Sequence, residues 1–404
     1  MGLSRRAFGA TALAGASGLL APRGGRAAPG PVRIGVLTDM TGALSSVLGT
    51  GSVDGARMAV EDFGGAVAGM PVQLLFADHQ NRPDVGTGIA RRWFDEDGVD
   101  LVMDYGNSAI AIACSGLARE KDRISMVSAA ASSEITGRFC NPNTFHWGYD
   151  TYMQSAALAS DLTARGGDTW FLVTADYAFG YALEGDAARK VEANGGRVLG
   201  RVRFPLGSAD MASYLLQARG SGAKVVGLIA SVDDLEKLLK QGAEFGTWRR
   251  QKPVAFGLQL YNVVSIGVDL MEGVVHNSIF YWDLDDGTRA FGRRFWRRNG
   301  KPPAEAHAVN YSAATQYLKA VRAAGTKDTA AVLRALRGMP VDDPVTRGGR
   351  VRADGRMVRP THLLEVKPKE RVRETYDVFA VLREIPGDEA FRPLAESACP
   401  LVRP

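Results

Sequence analysis

The sequence has few of the residues and motifs from which common enzyme sites are built. It contains five histidines in 404 residues, and none of them has the spacing of a zinc site or lies beside a cysteine pair. It lacks the G-x-S-x-G elbow of the α/β hydrolases and the G-x-x-x-x-G-K-[ST] loop that binds nucleotide phosphates. The glycines at 49, 51 and 55 are spaced one residue too widely for a dinucleotide-binding fingerprint. We therefore expect no catalysis, no metal ion and no bound cofactor.

Long apolar runs and a large net charge are also absent. No run of apolar residues approaches the roughly 18 needed for an ordinary membrane-spanning helix. The net charge is +5, but residues 1–27 carry four arginines and no acid, so the net charge of the remainder falls by four to +1. A nearly neutral chain gives no electrostatic reason to expect a nucleic-acid partner.

Residues 1–27 have the pattern of an export signal. Arg5-Arg6 is a twin-arginine pair, residues 7–22 are uncharged and rich in Ala, Gly and Leu, and small residues surround a cleavage site near Ala27. A general secretory signal has a similar pattern. We expect a periplasmic protein whose signal is removed, with the twin-arginine and general secretory routes as alternatives.

Three cysteines allow at most one disulfide within the chain. Cys114 lies in the apolar run 110–114, where a buried thiol is the ordinary interpretation. Cys140 and Cys399 each stand beside a turn signal, and an exported protein tolerates disulfides. We predict a bridge between Cys140 and Cys399, which would stabilise the fold by up to about 5 kcal/mol in the chain-entropy model.

Short apolar segments alternate with helix-like segments twice along the chain. In a first unit, strands are predicted at 32–37, 72–77, 101–103 and 124–127. In a second unit, after Tyr149, strands are predicted at 169–173, 197–204, 224–229 and 253–256, and helices at 152–165, 183–193, 211–219 and 235–245. This alternation is typical of parallel sheets with helices on both faces. The predicted fold class is α/β, with two doubly wound parallel-sheet domains.

The last third of the chain has a different pattern. Helices are predicted at 289–298, 304–323 and 329–337, and strands at 348–352, 361–366 and 375–382. A tail that carries Cys399 follows.

Polar and aromatic loops follow the predicted strands of both units. Ligands bind beyond the carboxyl ends of the strands in open parallel sheets, so these loops would meet in one cleft if the units face each other. The first unit supplies hydroxyls and the free N–H groups of a helix start, which suit a carboxylate. The second supplies aromatic rings and an acid that could meet a cationic amine. The candidate ligand-binding residues are Tyr105, Asn107, Ser108, Ala130, Ser132, Ser133, Tyr177, Phe179, Ser231, Asp233 and Gln259.

Purely structural roles would also explain several of these candidates. Asn107 suits a helix N-cap and Ser132 a capped turn. Tyr177 and Phe179 suit a core beneath a loop, and Asp233 suits the first turn of a helix, where the helix dipole favours acids. These alternatives stay open from the sequence alone.

Four segments, at 32–42, 51–62, 128–136 and 176–180, occur in a fairly specific order and spacing. On these segments, the sequence resembles the exported solute-binding proteins of ABC importers. The resemblance is to the branch that includes leucine/isoleucine/valine, amide, urea and aromatic-acid binders, the type I periplasmic binding proteins. It extends from Pro31 to about residue 382, and the tail with Cys399 resembles that of a subgroup.

The resemblance implies two domains joined by a three-stranded hinge, with the ligand between them and closure by hinge bending. It divides the chain into an N-terminal domain of 30–148 plus 280–338, a C-terminal domain of 149–279 plus 339–382, and a tail of 383–404. It implies a monomer that captures a small solute and delivers it to the membrane permease of an ABC importer. An extracytoplasmic sensor of the same fold is the alternative, and an exported enzyme is a further one.

The resemblance also implies roles for individual residues. Carried over by position, Ser108, Ala130 and Ser132 would hold the carboxylate of the ligand, and Tyr177 and the residues near Ser231 would meet it from the second domain. The chain departs from the amino-acid binders near Gln259, where they place an acid for the ligand amine. This departure favours an aromatic or other carboxylic acid, or an amide, over an α-amino acid.

Overall fold

The structure, a computed structural model, describes Met1 and residues 30–402. The predicted export signal at 1–27 therefore lies outside the described residues, apart from Met1. In the part that the structure describes, no helix is long and apolar enough to cross a membrane.

A six-stranded sheet forms the centre of the first unit. Its strands are β1 (Val32–Thr38), β2 (Ala66–Val67), β3 (Met70–Asp78), β4 (Leu101–Asp104), β5 (Ile124–Val127) and β6 (Thr144–His146). Their order is β2-β3-β1-β4-β5-β6, and all neighbours are parallel except β2 and β3. The helices between them are α1 (Gly49–Asp62), α2 (Pro83–Asp95) and α3 (Ser108–Glu120).

Both faces of this sheet are buried. Ile34 and Met103 pack in one core with α1, whereas Leu37 and Val102 pack in another with α2 and α3. Every residue of β4 and β5 is buried, because strands covered on both faces have no solvent side. This explains the short, continuous apolar segments of the sequence.

A four-stranded parallel sheet forms the centre of the second unit. Its strands are β7 (Thr169–Ala175), β8 (Arg197–Phe204), β9 (Val225–Ile229) and β10 (Lys252–Phe256), in the order β10-β9-β7-β8. The helices around it are α4 (Thr151–Ala164), α5 (Ala178–Ala193), α6 (Ala212–Gly220), α7 (Val232–Glu244), α8 (Leu260–Ile266) and α9 (Val268–Met271). The predicted start of α5 at 183 is wrong. The helix begins at Ala178, directly after the extended residue Tyr177.

In the rest of the described chain, the strands form two small sheets and there are four further α-helices. The strands are β11 (Val275–Ser278), β12 (Val341–Asp343), β13 (Thr346–Val351), β14 (Met357–Val358), β15 (Thr361–Val366) and β16 (Phe379–Ile385). The helices are α10 (Asp286–Asn299), α11 (Glu305–Ala324), α12 (Thr329–Gly338) and α13 (Gly387–Ala390). One sheet is β11-β15-β16 and the other is β12-β13-β14, and both are antiparallel.

The last predicted strand is displaced in the structure. The sequence predicts it at 375–382, but β16 spans Phe379–Ile385. The preceding Asp377 accepts hydrogen bonds from the backbone N–H of Arg373 (3.2 Å) and from its Nε (2.7 Å). These bonds hold residues 373–377 in a turn, so the strand starts after it.

Helices α10 to α12 return to the first unit. The contact between α1 and α11 is so close that a Cβ on Gly55 would lie 2.2 Å from the His307 carbonyl oxygen. Arg294 of α10 lies 2.9 Å from Asp62, and the Thr329 hydroxyl of α12 donates to the Asp122 carbonyl at 2.7 Å. The chain therefore passes between the units more than once, which confirms a two-part α/β fold.

The C-terminal tail is attached to the first unit by a disulfide. The predicted bond between Cys140 and Cys399 is present. Cys114 is a buried free thiol, and burial raises its pKa to about 12. A thiol of this kind stays protonated near neutral pH, which fits the inert core role predicted for it.

Candidate ligand-binding cleft

A cavity lies between the two units at the carboxyl ends of their parallel strands. It encloses about 570 Å³ of space between protein atoms, part of which opens to solvent. Its lining residues come from both sheets: Leu44, Val47, Leu48, Gly106, Ala129, Ala131, Tyr149, Tyr177, Phe179, Ala230, Ser231, Val232, Gly257, Gln259 and Ala306. This is the position at which α/β proteins bind their ligands.

The loop after β1 forms one apolar wall of the cavity. The Asp39 carboxylate accepts hydrogen bonds from the backbone N–H of Gly42 (2.7 Å) and of Leu44 (2.9 Å), which folds the loop back on itself. His307 of α11 lies with Nε2 3.0 Å from the Leu48 carbonyl oxygen, so it ties the other end of the loop to the first unit. Leu44 and Leu48 are thereby fixed against the cavity.

The end of β4 has an unusual backbone that shapes the cavity floor. Asp104, Tyr105 and Gly106 have φ angles of 82°, 73° and 57°, and positive φ is unfavourable for residues with a side chain. A Cβ on Gly106 would lie 2.4 Å from Leu48 Cδ1. Glycine is therefore required here, both for the backbone conformation and for the approach of Leu48.

Aromatic rings form the opposite wall. The rings of Tyr177 and Phe179, at the start of α5, pack with their centroids 5.6 Å apart. Tyr149 contributes a third ring from the segment that links the two units. Burial raises the pKa of Tyr149 and of Tyr177 above the ordinary tyrosine range. Both phenols are consequently neutral and can donate hydrogen bonds.

Among the residues that the structure describes, no Asp, Glu, Lys, Arg or His lines the cavity. The polar side chains of the lining are Ser231, Gln259 and the two tyrosines. Helix N-termini also face the cavity, since Tyr177 is the N-cap of α5, Ser231 is the N-cap of α7 and Ala306 lies in the first turn of α11. Each N-terminus carries a partial positive charge and free N–H groups. The cavity is therefore apolar in its side chains and electropositive in its backbone.

Four of the predicted site residues line this cavity: Tyr177, Phe179, Ser231 and Gln259. The others lie elsewhere. Tyr105 is buried in the core between the sheet and helices α2 and α3, where its hydroxyl donates to the Val102 carbonyl at 3.1 Å.

The hydroxyl and amide candidates of the first unit have local structural partners. Asn107 is the N-cap of α3 and accepts from the backbone N–H of Ala109 at 2.8 Å. Ser108 accepts from the N–H of Ser132 at 3.2 Å. Ala130 is buried, and its carbonyl oxygen lies 2.9 Å from Nε2 of His146. These contacts fix the loops behind the cavity wall.

The remaining candidates lie beside the cavity or away from it. Ser132 lies on a wider groove between α3 and α5. The Ser133 hydroxyl donates to Asp186 at 2.7 Å, on the side away from the cavity. Asp233 is exposed in the first turn of α7, the alternative considered for it from the sequence.

Several lining residues were not predicted as ligand residues. Leu44 and Leu48 are apolar residues four apart in a polar loop, and that spacing was a usable signal. Tyr149 and Ala306 gave no such signal, because they reach the cavity from a linking segment and from a helix that is distant in sequence.

Comparison with known proteins agrees with this architecture. A family model described as a periplasmic binding protein matches residues 31–371, which is most of the chain. The chain belongs to the periplasmic binding protein family. The family match covers both units and the helices α10 to α12 that return to the first.

Individual relatives agree with this assignment. The chain is 25% identical over 344 residues to the Leu/Ile/Val-binding protein homolog 8 of Brucella abortus, covering 80% of this chain and 84% of the relative. A periplasmic binding protein from Burkholderia mallei has 39% sequence identity and a TM-score of 0.90, covering 92% of this chain and 99% of the other. A branched chain amino acid ABC transporter periplasmic ligand-binding protein from Burkholderia xenovorans has 39% identity and a TM-score of 0.82, covering 92% and 100%.

Proposed function

We propose that this binding protein captures a small organic acid with an apolar body and delivers it to the membrane permease of an ABC importer. The observation that carries the proposal is a cavity between two α/β units, apolar in its side chains and faced by helix N-termini. The two units act as lobes that close on the solute, and the segments that link them act as the hinge. Closure is favoured only if the solute binds the closed form more tightly than the open form.

The walls support an apolar body for the solute. Leu44, Leu48 and Val232 face Tyr177 and Phe179 across the cavity. Burial of an aliphatic or aromatic group of leucine or phenylalanine size contributes roughly 1.5–3 kcal/mol. The name of the Brucella relative points to solutes with branched apolar side chains, which these walls would also suit.

The backbone charges support a carboxylate as the polar end. An anion at the start of α5, whose first turn carries no acid, gains from free N–H groups and from the helix dipole. An ammonium group at the same place meets the positive end of this dipole, and no carboxylate is present among the described residues that line the cavity. Gln259 can accept or donate a hydrogen bond, but it provides no charge. An α-amino group should therefore weaken binding.

A thermal-shift assay with matched pairs of solutes tests this proposal. The pairs are 4-methylpentanoate with L-leucine and 3-phenylpropanoate with L-phenylalanine, which differ only in the ammonium group. A solute at 100 times its Kd adds about 2.7 kcal/mol of stability. We expect a clear shift with at least one acid and a smaller shift, or none, with its amino acid. A larger shift with leucine than with 4-methylpentanoate would contradict the proposal.

A variant that adds a negative charge to the lining tests which polar group of the solute the cavity prefers. Gln259→Glu should weaken 4-methylpentanoate binding at least tenfold and improve the binding of leucine relative to the acid, because it adds a carboxylate to the lining. Gln217→Glu is the matched control, since Gln217 is exposed on α6, away from the cavity. Equal effects of the two variants would show that the charge at Gln259 does not act on the solute.

A further inference from the structure

A buried carboxylate behind the cavity joins the first unit, α5 and the C-terminal tail. The Asp186 side chain on α5 has no solvent exposure. It accepts hydrogen bonds from the hydroxyls of Thr151 (2.6 Å) and Ser133 (2.7 Å), and from Nη2 of Arg392 (2.8 Å). Arg189 is a further partner, one turn along α5. We call Asp186, Ser133, Thr151 and Arg392 the tail node.

The residues that bind Asp186 in the tail node also hydrogen-bond to one another. The Ser133 hydroxyl donates to Asp186 and accepts from Nη2 of Arg392 at 3.0 Å. The Thr151 hydroxyl donates to Asp186 and accepts from the Ser133 N–H at 3.1 Å. A network in which each buried group has partners holds its members in one geometry.

The tail node joins the loop at 128–133 to α5, and both segments contribute residues that line the cavity. Ser133 is two residues from Ala131, which lines the cavity, and it follows Ser132 on the neighbouring groove. Asp186 lies on the helix whose first residues include Phe179, another lining residue. The bond between Ser133 and Asp186 therefore connects these two lining segments directly.

Arg392 is the more enclosed of the two cations on Asp186. Its side chain is 14% exposed, whereas that of Arg189 is 62% exposed. An ion pair is stronger where solvent is excluded. Two contacts hold the backbone of the tail, one at Arg392 and one beyond it. Arg352 donates to the Arg392 carbonyl at 2.7 Å, and the disulfide of Cys399 fixes the chain beyond Arg392.

We propose that the C-terminal tail is a positioning element of the solute cleft. Arg392, acting through Asp186 and Ser133, sets the position of the loop at 128–133 relative to α5, and so sets the affinity for the solute. The affinity part of this proposal rests on the proposed function. The positional part concerns the protein without solute and can be tested separately.

Hydrogen–deuterium exchange of the purified protein without solute tests the positional part. Arg392→Met keeps an unbranched apolar stem and removes the charged guanidinium, and Arg189→Met is the matched control on the same carboxylate. We expect exchange at 128–136 to rise at least tenfold in Arg392→Met and to stay within twofold of the original protein in Arg189→Met and Arg392→Lys. An unchanged rate in Arg392→Met would overturn the proposal.

Ser133→Ala gives a second test if Arg392→Met does not fold. It removes one hydroxyl and leaves the ion pair of Asp186 with Arg392 in place. Exchange at 128–136 should rise at least threefold. No rise would overturn the proposal.

The affinity part uses 4-methylpentanoate as the probe, measured by calorimetry. We expect Arg392→Met or Ser133→Ala to weaken its binding at least fivefold, with Arg189→Met within twofold. Faster exchange without weaker binding would limit the tail node to positioning the loop and would overturn the affinity part. If the unmodified protein binds neither this probe nor any other solute of the matched pairs in the thermal-shift assay, the proposed function fails. The exchange result still decides the positional part.

Discussion

A buried carboxyl where the chain passes between the units should make stability depend on pH. Glu305, the first residue of α11, is buried, and its Oε1 accepts a hydrogen bond from the Ile279 N–H at 2.8 Å. The Arg359 guanidinium donates to the carbonyl oxygen of Ile279 at 2.6 Å. Burial raises the pKa of Glu305 from 4.5 to about 7, against the opposing effects of the Ile279 hydrogen bond and the Arg359 charge.

The sign of the effect follows from the raised pKa. The folded protein holds the proton of Glu305 more tightly than the unfolded chain does, so stability is lost as pH rises from about 4.5 through 7. One pKa unit corresponds to about 1.4 kcal/mol, so a rise from 4.5 to about 7 is worth roughly 3 kcal/mol. Glu305→Gln removes the titrating group and keeps an oxygen that can accept from Ile279.

Urea unfolding at fixed pH values between 5 and 8 measures this effect. The free energy of unfolding of Glu305→Gln, minus that of the unmodified protein, should rise by roughly 2–3 kcal/mol across this range. Glu389→Gln, at an exposed position on α13, is the control for the general loss of one negative charge. A difference that stays constant with pH for Glu305→Gln would refute the reasoning.

Two further predictions concern packing and the tail. Gly55→Ala should lower the free energy of unfolding by about 2 kcal/mol or more, since its Cβ would lie 2.2 Å from the His307 carbonyl oxygen. Gly116→Ala, in an open helical position of α3, should instead raise it by up to about 1 kcal/mol, and equal effects in urea unfolding would contradict this contrast. Replacement of both Cys140 and Cys399 by serine should cost about 2–5 kcal/mol under non-reducing conditions, and an unchanged unfolding curve would count against a stabilising bridge.

The two α/β units could be predicted because their signal is local. Strands such as β4 and β5 are buried on both faces, so each appears in the sequence as a short apolar run between helices. The disulfide was also predictable, because only two of the three cysteines lie beside turns. The ends of helices and strands were less predictable. Helix α5, for example, begins after a single extended residue, and no change in the spacing of apolar residues marks its start.

The cavity lining could be predicted only in part, because it depends on backbone direction and on distant contacts. From the sequence, every residue of the loop after β4 looks equally suited to a ligand. In the structure, Asp104 and Tyr105 have positive φ angles. The ring of Tyr105 is buried in the core, whereas Gly106 lines the cavity. Ala306 arrives from a helix that returns to the first unit late in the chain. Sequence patterns within one loop contain no information on either effect.

The absence of charged side chains from the described lining separates two kinds of selectivity in the proposed function. Preference for an anion would come from helix N-termini, above all that of α5, which are fixed by the fold and are not removed by any one substitution. Preference among apolar bodies would come from individual side chains, such as Leu44 and Phe179. Single substitutions in the walls should therefore change which acid is bound more readily than they change the preference for an acid. Introduction of a charge, as in Gln259→Glu, is the kind of substitution that should alter the preferred polar end.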